Sequence, residues 1–492
     1  MVRSLTYWRL CVLALAFAGA TPVAAQRHEH SDLQQQVEAV FAAAGPGARF
    51  GLVVAGEDGR ELVSIAPDQR FTPASNTKIL TTAAAFTFLA GIDQPDTIGG
   101  ASVRLDGQGA RTPDVVLKGY GDARLSSAAD CVANCLAALA DAVAAKTRIV
   151  RHVIGDASHF PDQRWSPGMS WNNIPTRSGT AIAALSLDDN EVALRIAPAK
   201  IGAAPSVQDY GYFQIENRAL TVAAGPTSLA IDRLPGSNVL MLTGTIATVA
   251  EAVTLRAGID DPAHYAAWRF KALLESRGVR VIGSVSSRYR PYRPADDPAA
   301  RNGAPPPRPP HMDALAKLQP LPLADDLRTI NKVSQNVHAE LMLRRIGGAA
   351  GTGSIADGVA AVKAMMEQAG VPRTSYDLAD GSGMSTYNRV APRGMVKLLR
   401  WIAAQPWGAT WRDTLPIGGV DGTLAKRFSD GPLAGRLFAK TGTLNATNAL
   451  SGYLLTKSGR TLIFSSYVND VPEGVDATKS LDDALELIAS AN

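Results

Sequence analysis

The 492-residue chain reads as a mixed α/β (α+β) protein in which one helix-and-strand unit is interrupted by a long β-rich stretch. Three observations predict this. Near the N-terminus, "RFGLVVAGEDGRELVSIAP" alternates apolar and polar residues on either side of a Gly-Glu-Asp-Gly turn, the pattern of a hairpin, and an apolar helix begins directly after it near Ser75. From about residue 100 the texture changes to short β-like runs, such as Asp114 to Leu117 and Ser237 to Thr245, with a scattered helix over Ala128 to Ala145. Beyond residue 313, helical periodicity returns and the chain closes on strands and a final amphipathic helix.

The boundaries follow from these changes. Residues 1–25 read as a secretory leader: Arg3 and Arg9 precede the apolar run Leu10 to Ala20, and Val23-Ala24-Ala25 resembles a cleavage site. The run is short for a membrane span, so no transmembrane anchor is expected after cleavage, and the expected location is the periplasm. The discontinuous unit then comprises 26–100 and 313–492, and the insertion 101–312. The insertion ends in a Pro- and Arg-rich segment, 288–313, which composition predicts to be an exposed, extended linker. After it, "LADDLRTINKVSQNVHAELMLRRIG", "IADGVAAVKAMM" and "APRGMVKLLRWIAA" carry helical periods. "GRLFAKTGTL" and the pair within "ALSGYLLTKSGRTLIFSSYV" read as strands, and a helix runs from about Ala477 to Ala489.

Composition excludes several classes. A hydrophobic content of 46% with 19% charged residues is that of ordinary globular material, and the net charge of +4 is interspersed and forms no stripe, so nucleic acid is not an expected partner. Once the leader and its Cys11 are removed, Cys131 and Cys135 are the remaining cysteines of an exported chain, and a disulfide is expected over free thiols or a metal site. Two cysteines without a nearby His fall short of four-coordinate zinc, and there is no His-Glu-x-x-His, so no metal and no cofactor is called for.

The chemistry lies in three short motifs. Ser75-x-x-Lys78 occurs once, at the mouth of a helix, where i and i+3 share a face and set a hydroxyl beside an amine. Lys440-Thr441-Gly442 also occurs once, on a predicted strand. Ser-x-Asn occurs at Ser170, Ser334 and Ser490, but only Ser334-Gln335-Asn336 lies in a helical region between the other two motifs. Each motif alone is weak, and the information is in their order and setting. His338 reads as a helix residue and Ser382, in "DGSGMS", as a turn serine lining the cleft, because its flanking glycines do not make a nucleophile elbow.

Together the motifs resemble the signature of serine penicillin-recognising enzymes. "GYGDARL", "LADGSGMSTYNRVAPRGMVKLLRW", "LPIGGVDGTLAKRF" and "AKTGTLNATNALSGYL" narrow the resemblance to the low-molecular-weight class C penicillin-binding proteins, the D-alanyl-D-alanine carboxypeptidase/endopeptidase family, over nearly the whole mature chain. That resemblance implies a β-lactamase/transpeptidase-like domain split by a two-part β-rich insertion. It implies that Ser334 passes a proton to the leaving amine and that Asn336 holds the substrate amide. Lys440, Thr441, Gly442 and Thr443 would meet the terminal carboxylate, and the N–H groups of Ser75 and Thr443 would form the oxyanion hole. Chemistry assigns Ser75 as nucleophile and Lys78 as its base, provided burial or the neighbouring Lys440 lowers the amine's pKa. The expected substrate-binding set adds Ser382 and Asn173, the latter standing where relatives often carry an acid that meets the ammonium of diaminopimelate.

The expected activity is that of a periplasmic serine DD-carboxypeptidase and DD-endopeptidase acting on peptidoglycan stem peptides, with β-lactams as inhibitors. The rival readings are a non-catalytic peptidoglycan-binding or β-lactam-sensing protein, and an esterase or β-lactamase on the same scaffold. Because the main motifs lie outside residues 101–312, the insertion is not expected to be needed to build the cleft.

Overall fold

A computed structural model describes residues 23–107, 112–307 and 313–492. Most of the leader lies outside these residues. The elements of the discontinuous unit are numbered here in chain order, and those of the insertion are given by their residues.

The frame is an antiparallel five-stranded sheet. β1 (Arg49–Gly56) and β2 (Glu61–Ile65) come from the N-terminal hairpin, and β3 (Leu437–Leu444), β4 (Thr447–Leu455) and β5 (Thr461–Asn469) from the C-terminal end. Their order is β3-β4-β5-β1-β2, so β1 pairs with β5 across the whole chain, Val53 opposite Ser465. Alternation along β1 divides the core in two. Leu52 and Val54 face α1 (Val23–Ala43) and the C-terminal helix, meeting Val37, Leu481 and Ile488. Val53 and Ala55 face α2 (Thr77–Phe88) and its neighbours, meeting Ile79 and Leu80.

Behind α2 stand α3 (Leu323–Lys332), α4 (Asn336–Ala350), α5 (Ile355–Gln368) and α6 (Pro392–Ala403), and the C-terminal helix is α7 (Ala477–Ala491). The continuous helical pattern from Leu323 onward is thus two helices. The break falls at Ser334, whose φ of 62° is left-handed and cannot continue a helix. Proline starts α6, where its missing N–H costs nothing.

The insertion is two-part and rich in strands. Its larger part carries a five-stranded sheet ordered Val285–Arg290, Val153–Pro161, Asp114–Lys118, Ser102–Asp106 and Ala316–Lys317, the first three parallel. Helices Leu136–Ala144 and Pro262–Ser276 pack on it through Leu139, Phe270 and Leu274. Its smaller part, strands between Glu191 and Gly258, closes on Ile196, Ala219 and Leu242. Three details differ from the sequence expectation. The helix predicted from Ala128 starts at Leu136, because residues 131–135 form a loop closed by a Cys131–Cys135 disulfide. The segment read as a linker starts inside the strand Val285–Arg290 and turns at Pro294–Asp296, where Asp296 is fully buried and accepts from Arg290 at 2.8 and 3.0 Å. The strand that closes the insertion sheet, Ala316–Lys317, lies past residue 313 and pairs with Val103 and Ser102.

Candidate active site

Ser75 sits in a 3-10 turn, Ala74–Asn76, that feeds α2 and presses against β3. Asn76 pins the turn there, its amide donating to the Lys440 carbonyl at 2.7 Å. The last residue of Lys440-Thr441-Gly442 has a steric reason: a Cβ on Gly442 would lie 2.7 Å from the Pro73 oxygen and 3.1 Å from the Ser75 nitrogen. Only glycine lets the strand pass so close to the serine.

The three motifs converge. Lys78 is fully buried, and its Nζ donates to Ser75 Oγ at 2.9 Å, Asn336 Oδ1 at 2.7 Å and the Ser382 carbonyl at 2.6 Å. Lys440, also fully buried, donates from Nζ to Ser334 Oγ and to the Thr441 carbonyl, both at 2.9 Å. Ser334 reaches Lys440 from the left-handed break between α3 and α4, and Asn336 from the first turn of α4. Thr441 bonds the Thr423 hydroxyl at 2.7 Å, and Thr443 lies exposed on the wall of a cavity of about 500 Å³.

Burial lowers the Lys78 amine to about 7, against the opposing pull of the Asp380 and Glu340 carboxylates. The expected repulsion between the lysines acts on the other partner. Lys440 is held well below its ordinary value by burial and then by the charge of Lys78.

Ser382 takes a different part from the one expected of it. Its side chain is buried, with Oγ 3.4 Å from Asp380 Oδ2, and it reaches the site through the carbonyl that holds Lys78. Its loop is clamped from below, Glu340 accepting from the N–H groups of Gly381 and Ser382 at 2.9 Å. Asp380 accepts from Gly383, Ser385 and Asn388, while burial and Glu340 raise its carboxyl to about 6.

The insertion also contacts the motif residues themselves. Asn336 donates to the Ser178 carbonyl at 2.9 Å, and the Trp-rich segment docks on the Ser382 loop, Thr386 N–H to the Gly168 carbonyl at 2.9 Å and Ser385 Oγ to the Pro167 carbonyl at 2.6 Å. Asn173 ends a 3-10 turn within that segment and lines the same cavity as Thr443. Backbone carbonyls leave no mark in a sequence, so these contacts were not legible there.

A further residue escaped sequence reasoning. Asp189, in the insertion, accepts from Gln335 Nε2 at 2.9 Å and bonds His338 Nε2 at 2.8 Å, while Asp326 of α3 bonds His338 Nδ1. It lies in a run of three left-handed residues, Asp188, Asp189 and Asn190, that turns it toward α4. Burial alone would lower the His338 value, but the Asp326 and Asp189 carboxylates outweigh it and raise the imidazole to about 10. Since the folded value exceeds the unfolded one, this clamp contributes its full stability below the ordinary imidazole range and loses it as pH climbs toward 10. Melting temperatures of the wild type are expected to decline over that interval, and those of His338→Gln to start lower and stay flatter; parallel curves would remove the charged clamp. Asp189→Ala is expected to lower kcat/KM on a short D-alanyl-D-alanine peptide roughly ten- to hundredfold through displacement of the Ser334–Asn336 turn.

Among the described residues no helix is long and apolar enough to cross a membrane. The D-Ala-D-Ala carboxypeptidase 3 (S13) family matches residues 33–491. A D-alanyl-D-alanine carboxypeptidase of Actinomadura sp. (strain R39) is 32% identical over 476 residues, 92% of this chain and 84% of its own. Penicillin binding protein 4 (DacB) of Haemophilus influenzae shares the fold with a TM-score of 0.73 at 22% identity, over 94% of this chain and 97% of that one. The same protein complexed with a β-lactam gives a TM-score of 0.70 at 20% identity, over 94% and 98%. The chain therefore belongs to the D-Ala-D-Ala carboxypeptidase 3 (S13) family of serine-type carboxypeptidases.

Proposed function

We propose that this protein is an exported, periplasmic DD-carboxypeptidase and DD-endopeptidase that cleaves D-alanyl-D-alanine termini and D-alanyl-diaminopimelate cross-links of peptidoglycan through an acyl-Ser75 intermediate. The observation that carries the reading is the contact of Lys78 Nζ with Ser75 Oγ at 2.9 Å, by an amine lowered to about 7. At neutral pH a share of that amine is free base, able to take the hydroxyl proton as Ser75 Oγ attacks the carbonyl carbon of the penultimate D-alanine. The developing oxyanion meets the N–H groups of Ser75 and Thr443. Ser334 gives its hydroxyl proton to the departing amine as the C–N bond breaks and takes one from the Lys440 Nζ that donates to it, and water then attacks the ester carbon and restores the proton to the site as Ser75 Oγ leaves. Asn336 holds the substrate amide, while Thr441 and Thr443 bind the terminal carboxylate beside the buried Lys440 amine, whose protonation the arriving carboxylate favours. A β-lactam offers the same amide and carboxylate and acylates the same oxygen. The disulfide at Cys131–Cys135 and the leader read from the sequence support export.

Mass analysis of purified cross-linked and uncross-linked muropeptides after incubation tests the reading. Loss of terminal D-alanine and resolution of dimers into monomers are expected, and intact dimers would remove the endopeptidase half.

Asn173 bears on specificity. A hydrogen bond to a charged group is worth about 1.5–3 kcal/mol against about 0.5–1.5 for a neutral one, so an acid there should gain close to tenfold in affinity for an ammonium. Asn173→Asp is accordingly expected to raise kcat/KM on stem peptides with the free diaminopimelate amine and to do little when that amine is acetylated. Equal effects on both would show that Asn173 does not read the side chain.

A further inference from the structure

A second cavity, of about 510 Å³, lies wholly apart from the three motifs, at the carboxyl ends of the parallel strands of the insertion sheet. Open α/β sheets place ligands at this end, and the volume is that of a small-molecule site. Arg104, Lys118, Arg288, Arg290 and Arg293 line it. Arg104 is neutralised by Asp106 at 2.6 and 3.0 Å, and Arg290 by Asp296. The other three are not. Lys118 and Arg288 share one buried carboxylate, Asp156, at 3.8 and 3.6 Å, beyond hydrogen-bonding distance, and Arg293 has no ion pair among the described residues. Three cations thus stand against one carboxylate. The remaining wall is largely uncharged: the Tyr120 ring, with Lys118 and Lys317 ammonium groups 5.8 and 5.2 Å from its centre, and Pro306 and Pro307. Thr352, just beyond α4, also faces the cavity, so the length of α4, roughly 20 Å, separates it from Asn336.

We propose that this cavity binds a compact molecule bearing carboxylates on an uncharged sugar or peptide body. The excess cations require anionic groups, and the aromatic and proline walls require a body larger than a free inorganic ion. Resting on the proposed activity, the molecule is a glycan-peptide fragment of the wall, held away from the cleft so that the polymer is gripped at two points. Gripping at a second point raises the local concentration of scissile peptide without altering chemistry.

Calorimetric titration of the full chain tests this with N-acetylmuramyl-L-alanyl-D-glutamate, its mono-acid amide N-acetylmuramyl-L-alanyl-D-isoglutamine, and inorganic phosphate. The diacid is expected to bind, the mono-acid at least about tenfold more weakly, and phosphate more weakly still. Arg288→Gln with Arg293→Gln is expected to weaken the diacid at least about tenfold while hydrolysis of a short D-alanyl-D-alanine peptide is unchanged. Arg293→Gln alone, at an exposed side chain, keeps the fold and should weaken it about threefold. Absence of diacid binding, equal affinity in the variants, or phosphate matching the diacid would overturn the proposal. Binding and hydrolysis are read separately, so loss of one does not stand in for loss of the other.

Discussion

Ser75→Ala is expected to show no covalent adduct with labelled penicillin, and its release of D-alanine should fall by about 10⁴-fold or more, the scale for removing a nucleophile that acts as a unit with its base. The fold should survive. Ser75 Oγ has its hydrogen bond from Lys78, and that ammonium keeps its bonds to Asn336 and to the Ser382 carbonyl when the hydroxyl is gone. The serine that could compete by sequence, Ser382, is buried with its hydroxyl toward Asp380. Label recovered on Ser382 would overturn the assignment.

The second large effect is that of Lys78→Ala, expected to slow acylation by at least about a hundredfold. This variant leaves the Ser382 carbonyl and Asn336 Oδ1 without their buried donor, so some loss of stability accompanies it, on the scale of about 1–3 kcal/mol for an unsatisfied group, read as a lower melting temperature. The pH profile separates the two effects. In the wild type, acylation should rise as pH climbs through about 7, because only the free amine can accept the serine proton. In Lys78→Ala that rise should vanish at whatever rate remains. A hundredfold loss with the profile intact would mean that Lys78 holds the loop and another group takes the proton.

Side chains in short motifs made the chemistry readable, and geometry that passes through the backbone did not. Lys78 and Lys440 lie on a helix and a strand, and Ser75 on the 3-10 turn that leads into the helix, so short spacings suffice to place them. Ser334 reaches its lysine through a left-handed break that the helical pattern of its surroundings conceals. The Ser178 and Ser382 carbonyls carry no residue-type signal, and Asp189 is one acid among many until its turn aims it at His338. The Pro- and Arg-rich end of the insertion differs from expectation for a related reason. Arg and Pro between residues 288 and 307 read as solvated chain, yet Arg290 stands on a buried Asp296 and the segment borders a cavity.

The pairing of β1 with β5 also dictates an order of events during folding. Arg49 meets Asn469 and Gly56 meets Leu462, so the N-terminal hairpin has no sheet to join until the last strand has emerged. Closing a flexible loop of that length costs about 5 kcal/mol in chain entropy, whereas the pairings inside the insertion, Val153 with Val285 and Val103 with Ala316, close shorter loops and cost roughly 0.5–1 kcal/mol less. The insertion can therefore collapse first and draw the two halves together, shortening the search before the active site exists. Truncation ahead of β5 should consequently leave a folded insertion flanked by an unstructured N-terminal arm, and the nascent enzyme should stay inactive until its final strand is in place.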